Sequence, residues 1–243
     1  MNEHAPRPLE QLLLVLDYDG TATVDECNEI ILQRFTGDAW RPLEAQALDG
    51  TLTHAECFRQ QFALVQAPRD ELYTAMADLA EPAPGLAGLL DWALAGGARV
   101  AVVSVGFREA IERVWERHGL PPVELYASEL EALPGSGYTV VLDDLFGDCP
   151  RCGPGGCKGG AVRALRRSAD AVAAFGDGVG DLCLAREADI VFARGVLRQL
   201  CDAEGIAYHL LTDFETARTE LERWVGDERP NVAGGRTRWV DAT

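Results

Sequence analysis

Lysine is nearly missing from this chain: of 22 basic side chains in 243 residues, one is lysine, Lys158, and the others are arginine. Basic charge as a whole is scarce, since 39 Asp plus Glu outweigh it and leave a formal net charge of -17. Nucleic acid and anionic membrane surfaces are therefore not expected partners, because both are polyanions. No apolar run approaches the roughly 20 residues that cross a bilayer. The first eleven residues also lack the basic stretch and apolar run of a secretory signal. Histidine is limited to four residues, and the seven cysteines are an odd number. A reducing, cytoplasmic setting is expected from that cysteine usage. What is present, 47% hydrophobic and 25% charged residues, suffices for one substantial core with a small second lobe.

Residues 12–16 (LLLVL) form a wholly apolar run that suits a central parallel strand buried on both faces. Similar runs recur at 99–105, 171–175, 190–193 and 206–211, separated by helical patterns such as 107–118, which ends at Gly119. Strands alternating with helices predict an α/β fold, a doubly wound parallel sheet whose functional residues sit at the carboxyl ends of the strands. Residues 24–97 carry few strand signals and several amphipathic helices. One opens at a Thr53-Glu56 capping box and another covers 70–79, with the 82–85 Pro-Ala-Pro-Gly as the return hinge. The expected organisation is a core of 1–23 and 98–225, a helical cap of 24–97, and a loose Gly/Arg-rich tail of 226–243. The 125–142 stretch, with a Gly-Ser-Gly turn at 135–137, fits a hairpin.

Four strand-end motifs carry chemistry. In Asp17-Tyr18-Asp19-Gly20-Thr21, the turn at Gly20 brings two carboxylates around one substrate and one cation, one to attack and one to move protons. Calcium loops also begin Asp-x-Asp-Gly, but the twelfth position here is Asn28 and not a bidentate Glu. Ser104, followed by Val105-Gly106 before a helix, offers a hydroxyl and backbone N–H groups to a phosphate oxygen, although a strand-end Ser is also a common helix cap. Lys158 opens a helix after a Gly/Cys-rich loop, where it can hold a phosphate as a point charge. In Gly176-Asp177-Gly178-Val179-Gly180-Asp181 the glycine spacing does not match a dinucleotide fingerprint, and the acids suit Mg²⁺. None of His4, His54, His118 or His209 is expected beside these motifs, so a histidine-based mechanism lacks its base.

In this order, DYDGT, Ser104 after RVAVV, Lys158 and GDGVGD, the chain resembles the haloacid dehalogenase superfamily of phosphatases over nearly its whole length. The cap inserted after the first motif is similar to the phosphoserine-phosphatase-like branch. The resemblance implies that Asp17 is the nucleophile forming an aspartyl phosphate, and that Asp19 protonates the leaving alcohol and then deprotonates water. It implies Mg²⁺ held by Asp17, the Asp19 backbone carbonyl and Asp177, phosphoryl oxygens gripped by Ser104, Gly106 and Lys158, and Asp181 in support.

Within that branch, DYDGTATVDECNEIIL, WRPLEAQALDGTLTHAE, Cys157-Lys158 and the stretch from 188 to 222 are similar to the methionine-salvage phosphatases acting on 2-hydroxy-3-keto-5-methylthiopentenyl-1-phosphate. Phosphoserine phosphatases compete: they carry a Glu nine residues after the nucleophile, matched by Glu26, and a cap arginine, matched by Arg59. Phosphocholine/phosphoethanolamine phosphatases share Cys149-x2-Cys152-x4-Cys157-Lys158. A fourth ligand beside those three thiols is not evident, and packed or redox-active cysteines account for them as well as a metal does. Phe58, Phe62 and Phe107 fit either a thioether pocket or ordinary core. Outside hydrolysis, a phosphotransferase or mutase would use the same aspartyl phosphate, and a phospho-signalling receiver domain the same strand-end residue types. Receivers are about half as long and lack both the cap and the second Asp. The expected partner is a small phosphate ester; no oligomeric state follows.

Overall fold

The computed structural model describes residues 8–134, 137–168 and 170–226. Strand β1 (Leu12–Leu16) is buried along its whole length. After it come α1 (Cys27–Thr36), α2 (Arg41–Leu48), α3 (His54–Ala63), α4 (Arg69–Leu79) and α5 (Leu86–Ala95). The chain continues through β2 (Arg99–Phe107), α6 (Arg108–Arg117), β3 (Glu124–Ala132), β4 (Tyr138–Val141), β5 (Gly147–Cys149), β6 (Gly153–Cys157) and α7 (Lys158–Leu165). It finishes with β7 (Ala171–Gly176), α8 (Leu182–Glu187), β8 (Ile190–Ala193), α9 (Gly195–Glu204), β9 (His209–Leu210) and α10 (Phe214–Gly226).

Seven strands form one sheet in the order β4-β3-β2-β1-β7-β8-β9. Six of them are parallel, with Leu16 in register with Val102 on one side and Phe175 on the other. The edge strand β4 runs antiparallel to β3, so the sheet is mixed, because a short hairpin can only return the chain antiparallel. The two residues at that turn, 135 and 136, lie outside the described residues, as do His4 and the tail from 227 onward, whereas Gly226 closes α10.

Alternation along the strands sends side chains to opposite faces, and both faces are apolar. Leu12, Leu14 and Leu16 join Val100, Val102, Ala173 and Phe175 against α5, α6 and α10. Leu13 and Val15 join Ala101, Val103, Val172 and Ala174 against α7 and α8. The six parallel strands therefore end at the same rim, where three of the motifs fall, while the fourth, Lys158, follows β6 of the separate antiparallel β5–β6 hairpin.

The helices α1 to α4 cover that rim. Ile31, Leu32, Phe62, Leu72 and Met76 from these helices, with Trp40 just before α2, share one cluster with Phe107, Leu130, Tyr138 and Val140 of the core. Thr53 caps α3, accepting from the Glu56 N–H at 3.3 Å while the Thr53 N–H donates to the Glu56 carboxylate at 3.2 Å. The chain enters and leaves this insertion side by side: Thr23 bridges Pro82, the Ala83 N–H donates to Ala22 O at 2.8 Å, and the Val24 N–H donates to Glu81 O at 2.9 Å. The expected cap boundary at residue 97 does not follow this packing. Helix α5, with Leu86, Leu89, Leu90 and Ala93 buried against the sheet and α10, sits with the core, since its apolar side matches the sheet face.

Candidate active site

Asp17 follows β1 directly, and its N–H donates to Phe175 O at 3.0 Å, which ties the strand end to β7. Next, the chain makes a wide turn in which the Ala22 N–H donates to Asp17 O and the Thr23 N–H to Tyr18 O. Gly20 takes φ +65 there, and a Cβ at that position would stand 2.8 Å from Asp177 Oδ2. Glycine is thus required both for the left-handed backbone and for close approach to the opposite loop.

Lys158, the first residue of α7, is 4% exposed. Its ammonium donates to Asp17 Oδ1 at 2.5 Å and to Asp181 Oδ1 at 2.7 Å. Burial alone would drive this lysine down, but the Asp17 and Asp181 charges hold it well above the ordinary lysine range. The other oxygen of Asp181 accepts the Asp177 and Gly178 N–H groups, both at 3.0 Å. Asp181 is therefore a tie between the lysine and the loop after β7. Asp177 in turn accepts the Thr21 hydroxyl at 2.6 Å, which joins the loops after β1 and β7.

Asp19 points to the other side of the turn. Its carboxylate accepts the Cys27 N–H at 3.1 Å and the Asn28 side-chain amide, both from the start of α1. Burial is the main cause raising its carboxyl to about 7, against the lowering effect of the Cys27 N–H. Ser104 is buried at the end of β2, and its hydroxyl accepts the Gly106 N–H at 2.9 Å. A Cβ on Gly106 would lie 3.3 Å from Asp19 Oδ2, so Ser104, Gly106 and Asp19 form one corner.

Oxygens of Asp17, Asp177 and Asp181 lie within 4.8 Å of one another. Burial and then the Asp181 charge raise both Asp17 and Asp177 above the ordinary carboxylate range. Three carboxylates face a single ammonium, a surplus of negative charge in a buried place that a hard divalent cation with oxygen ligands would neutralise. The donor set fits Mg²⁺: Asp17 has an oxygen that Lys158 does not hold, and Asp177 is met by the Thr21 hydroxyl and by the Glu26 carboxyl, whose proton a cation would displace, whereas both oxygens of Asp181 are tied to Lys158 and to the Asp177 and Gly178 N–H groups.

The two expected specificity residues are not brought together as a pair. Glu26 meets solvent on its outer edge, yet its carboxyl stands against Asp177; burial there, and then the Asp177 charge, push it up to about 8. Arg59 lies instead toward the β3–β4 side, donating to Val140 O at 3.4 Å. Phe58 and Phe62 are core, packed on Phe107 with centroids 5.6 and 4.6 Å away. Phe107 also borders a narrow cleft beside Asp19 and Asn28, together with Met76, Ala110 and Ile111.

Three features correct the sequence reading or add to it. His54, at the start of α3, packs over Gly180 of the fourth motif, its Nε2 3.4 Å from where a Cβ would be. The expectation that no histidine lies beside a motif fails, because the cap folds back over the rim. Burial and the Lys158 charge hold His54 below its ordinary value, as a neutral ring. Arg194, just after β8, joins the site without a motif of its own; its guanidinium donates to Gly20 O at 2.5 Å, Thr21 O at 3.1 Å and Thr23 O at 3.0 Å. Its only signal in sequence is its place at a strand end. Finally, Cys183 of α8 meets Cys149, Cys152 and Cys157, supplying the fourth thiol that spacing alone did not reveal.

The profile described as haloacid dehalogenase-like hydrolase matches residues 14–186. A 2-hydroxy-3-keto-5-methylthiopentenyl-1-phosphate phosphatase of Exiguobacterium sibiricum is 30% identical over 210 residues, covering 84% of this chain and 91% of that protein. A protein of the same name from Exiguobacterium sp. (strain ATCC BAA-1283 / AT1b) is 28% identical over 211 residues, with 84% and 92% covered. Among solved structures, the phosphoserine phosphatase from T. onnurineus superposes with a TM-score of 0.65 at 20% identity, over 88% of this chain and 96% of that one. A phospho-aspartyl intermediate analogue of phosphoserine phosphatase gives 0.63 at 18%, over 87% and 98%. With the strand-end carboxylates, the buried lysine and these matches in hand, the chain is a phosphoric monoester hydrolase and belongs to the haloacid dehalogenase-like hydrolase family.

Proposed function

We propose that this enzyme hydrolyses a small-metabolite phosphate monoester in two steps at Asp17. The observation that carries the reading is the division of the first motif: Asp17 is paired with Lys158, while Asp19, two residues on, is held apart by α1 with its carboxyl raised to about 7. An Asp17 oxygen attacks phosphorus and the ester P–O bond breaks. The alkoxide leaves with the proton of Asp19. Water then gives a proton to the Asp19 carboxylate and attacks the aspartyl phosphate, releasing inorganic phosphate and free Asp17.

Lys158 and Ser104, with the Gly106 N–H, grip the phosphoryl oxygens. Asp17, Asp177 and the Asp19 carbonyl would hold Mg²⁺, and when bound it would supply the charge neutralisation without which an anionic carboxylate is repelled by an anionic ester. Asp181 positions Lys158. The seven cysteines, all free thiols, support a reducing, cytoplasmic setting; among the described residues no helix is long and apolar enough to cross a membrane.

For the substrate we infer 2-hydroxy-3-keto-5-methylthiopentenyl-1-phosphate, the compound in the names of the relatives. Met76, Phe107, Ala110 and Ile111 give an apolar wall beside Asp19 whose chemistry suits a thioether end, although the cleft of about 10 Å³ must widen to take one. Phosphoserine is less well matched, because Arg59 is turned to Val140 O and does not stand with Glu26.

The test is phosphate release from a panel of esters, with Mg²⁺ and with EDTA. We expect Mg²⁺-dependent turnover with the highest kcat/KM on the methylthio enol phosphate, and none in Asp17→Asn. Phosphoserine, phosphocholine or phosphoethanolamine as the best substrate would overturn the substrate. Full activity in Asp17→Asn, or phosphate passed only to an alcohol, would overturn the mechanism.

A further inference from the structure

The β5–β6 hairpin and the first turn of α8 bring four cysteines to one point, none of them among the residues of the carboxylate site. Cys149, Cys152 and Cys157 come from the hairpin and Cys183 from the helix, and all four sulfurs lie within 4.8 Å of one another. Cys149 Sγ and Cys152 Sγ are each 3.8 Å from Cys183 Sγ. A tetrahedron of thiolates at the usual Zn–S length of about 2.3 Å has edges of about 3.8 Å. By contrast, a disulfide needs sulfurs about 2.05 Å apart.

The surroundings are those of a thiolate cluster, not of ordinary apolar packing. Cys152, Cys157 and Cys183 form a buried cluster of their own, with Cys149 against it and no aliphatic residue in it. The backbone turns to serve the sulfurs: the Cys152 N–H donates to Cys149 Sγ at 3.2 Å, and Gly153 at φ +83 makes the sharp turn after the second cysteine. Two guanidinium groups stand beside the cluster: Arg186 Nη1 lies 4.0 Å from Cys183 Sγ, and Arg163 faces Cys157. Four thiolates around a dication carry a net charge of -2, and these two arginines, paired on their other side with Glu187 and Glu204, place positive charge at its edge.

We propose that Cys149, Cys152, Cys157 and Cys183 bind one structural Zn²⁺ through four sulfurs. Four S–H groups lose their protons to water and four Zn–S bonds form, with no change of oxidation state. Soft, tetrahedral thiolate ligation selects zinc over the Mg²⁺ that suits the carboxylates. With four protein ligands no coordination position is left for substrate, so the ion is a staple and not a reagent.

Its place in the fold says what it staples. Lys158 follows Cys157 directly, and Cys183 stands two residues after Asp181, so the metal joins the same two segments that the Lys158–Asp181 contact joins. The cap also rests on this hairpin, since the Ala55 N–H donates to Cys152 O at 3.0 Å. Zinc therefore holds the phosphate-gripping lysine, its positioning aspartate and the foot of α3 in one frame.

The experiment is elemental analysis of the full chain purified under reducing conditions, followed by Co²⁺ replacement and thiol titration. About one zinc per chain is expected, with thiolate-to-cobalt charge-transfer bands and the visible bands of tetrahedral cobalt after replacement. Stripping zinc should lower the melting temperature, and zinc but not Mg²⁺ should restore it. Cys183→Ser and Cys149→Ser should lose the metal, while Cys201→Ser, outside the cluster, keeps it. Wild-type protein without zinc, whether its cluster thiols titrate freely or are paired as disulfides, overturns the proposal. Iron found at these thiols overturns zinc as the ion. Because the unaltered protein is measured first, failure of a serine variant to fold does not blur the result.

Discussion

The Lys158 ammonium stands between Asp17 Oδ1 at 2.5 Å and Asp181 Oδ1 at 2.7 Å, so the lone lysine of the chain bridges the end of β1 and the loop after β7. Arginine is plentiful elsewhere, but a planar guanidinium is wider than an ammonium and would not fit as one point charge between two carboxylates.

Lys158→Met should leave both carboxylates buried without a counter-charge, a change that costs about 3–5 kcal/mol where a buried pair is broken. Lys158→Arg should fold and yet lose at least about 100-fold in kcat, the scale of removing one preorganised donor. Thermal melts and phosphate release read the two effects separately. An arginine variant with near-native kcat would show that charge alone, not its compact shape, is what the site requires.

Metal-free protein should become less stable as pH rises from about 5 to 8. Asp19, raised from 3.8 to about 7, and Glu26, raised from 4.5 to about 8, keep protons in the folded state that the unfolded chain has already released. More protons bound when folded means stability that is full at low pH and is lost as pH climbs through the folded values. Mg²⁺ on Asp17 and Asp177 competes with the protons of those raised carboxyls and of Glu26 beside Asp177, so the rise in melting temperature on adding Mg²⁺ should be larger at pH 8 than at pH 6. An equal rise at both pH values would show that the metal does not meet these groups.

Arg194→Met should act on rate more than on folding. Its guanidinium holds three carbonyls of the turn that carries Asp17 and Asp19. Without it the turn loosens while the sheet beneath is untouched, and kcat should fall about 10-fold, equivalent to about 1.4 kcal/mol. KM should stay within about twofold and the melting temperature within a few degrees, on the order of a 1 kcal/mol change. A melting temperature that falls while kcat holds would make Arg194 structural only.

Phe62→Ala should destabilise by about 3–5 kcal/mol, since a fully buried ring is removed from a close-packed cluster. Phe62 is 0% exposed and lies against both Phe58 and Phe107. Phe62→Leu, which keeps most of the volume, should cost less than about 1.5 kcal/mol. Urea denaturation of the two variants gives both numbers. A cost for alanine no greater than for leucine would mean that the cap cluster collapses freely and adds little to stability.

Much of this was legible in sequence because buried parallel strands are short, wholly apolar runs, and the residues after them are forced to the sheet rim. LLLVL before Asp17 and AVAAF before Gly176 announce both strand and site in one stretch. What sequence did not show depends on residues far apart in the chain meeting in space. Cys183 is 26 residues beyond Cys157 and gains meaning only when α8 packs on α7. His54 reaches Gly180 only because the cap folds over the rim. Arg194 is one of 21 arginines, and no local pattern marks the one that grips a backbone turn. Helix α5 is helical and follows the cap in sequence, so pattern alone places it there, while its partners, the sheet and α10, are remote in the chain.

The contacts of Asp19 have a mechanical consequence. Both groups that hold its carboxylate, the Cys27 N–H and the Asn28 amide, belong to the first helix of the cap. The cap leaves and returns through one paired crossing at Thr23 and Pro82, a natural pivot. The seat of the proton that the proposed mechanism delivers is therefore built by the cap, while the nucleophile two residues earlier is built by the sheet and Lys158, so a substitution that shifts α1 should touch proton transfer and leave Asp17 in place.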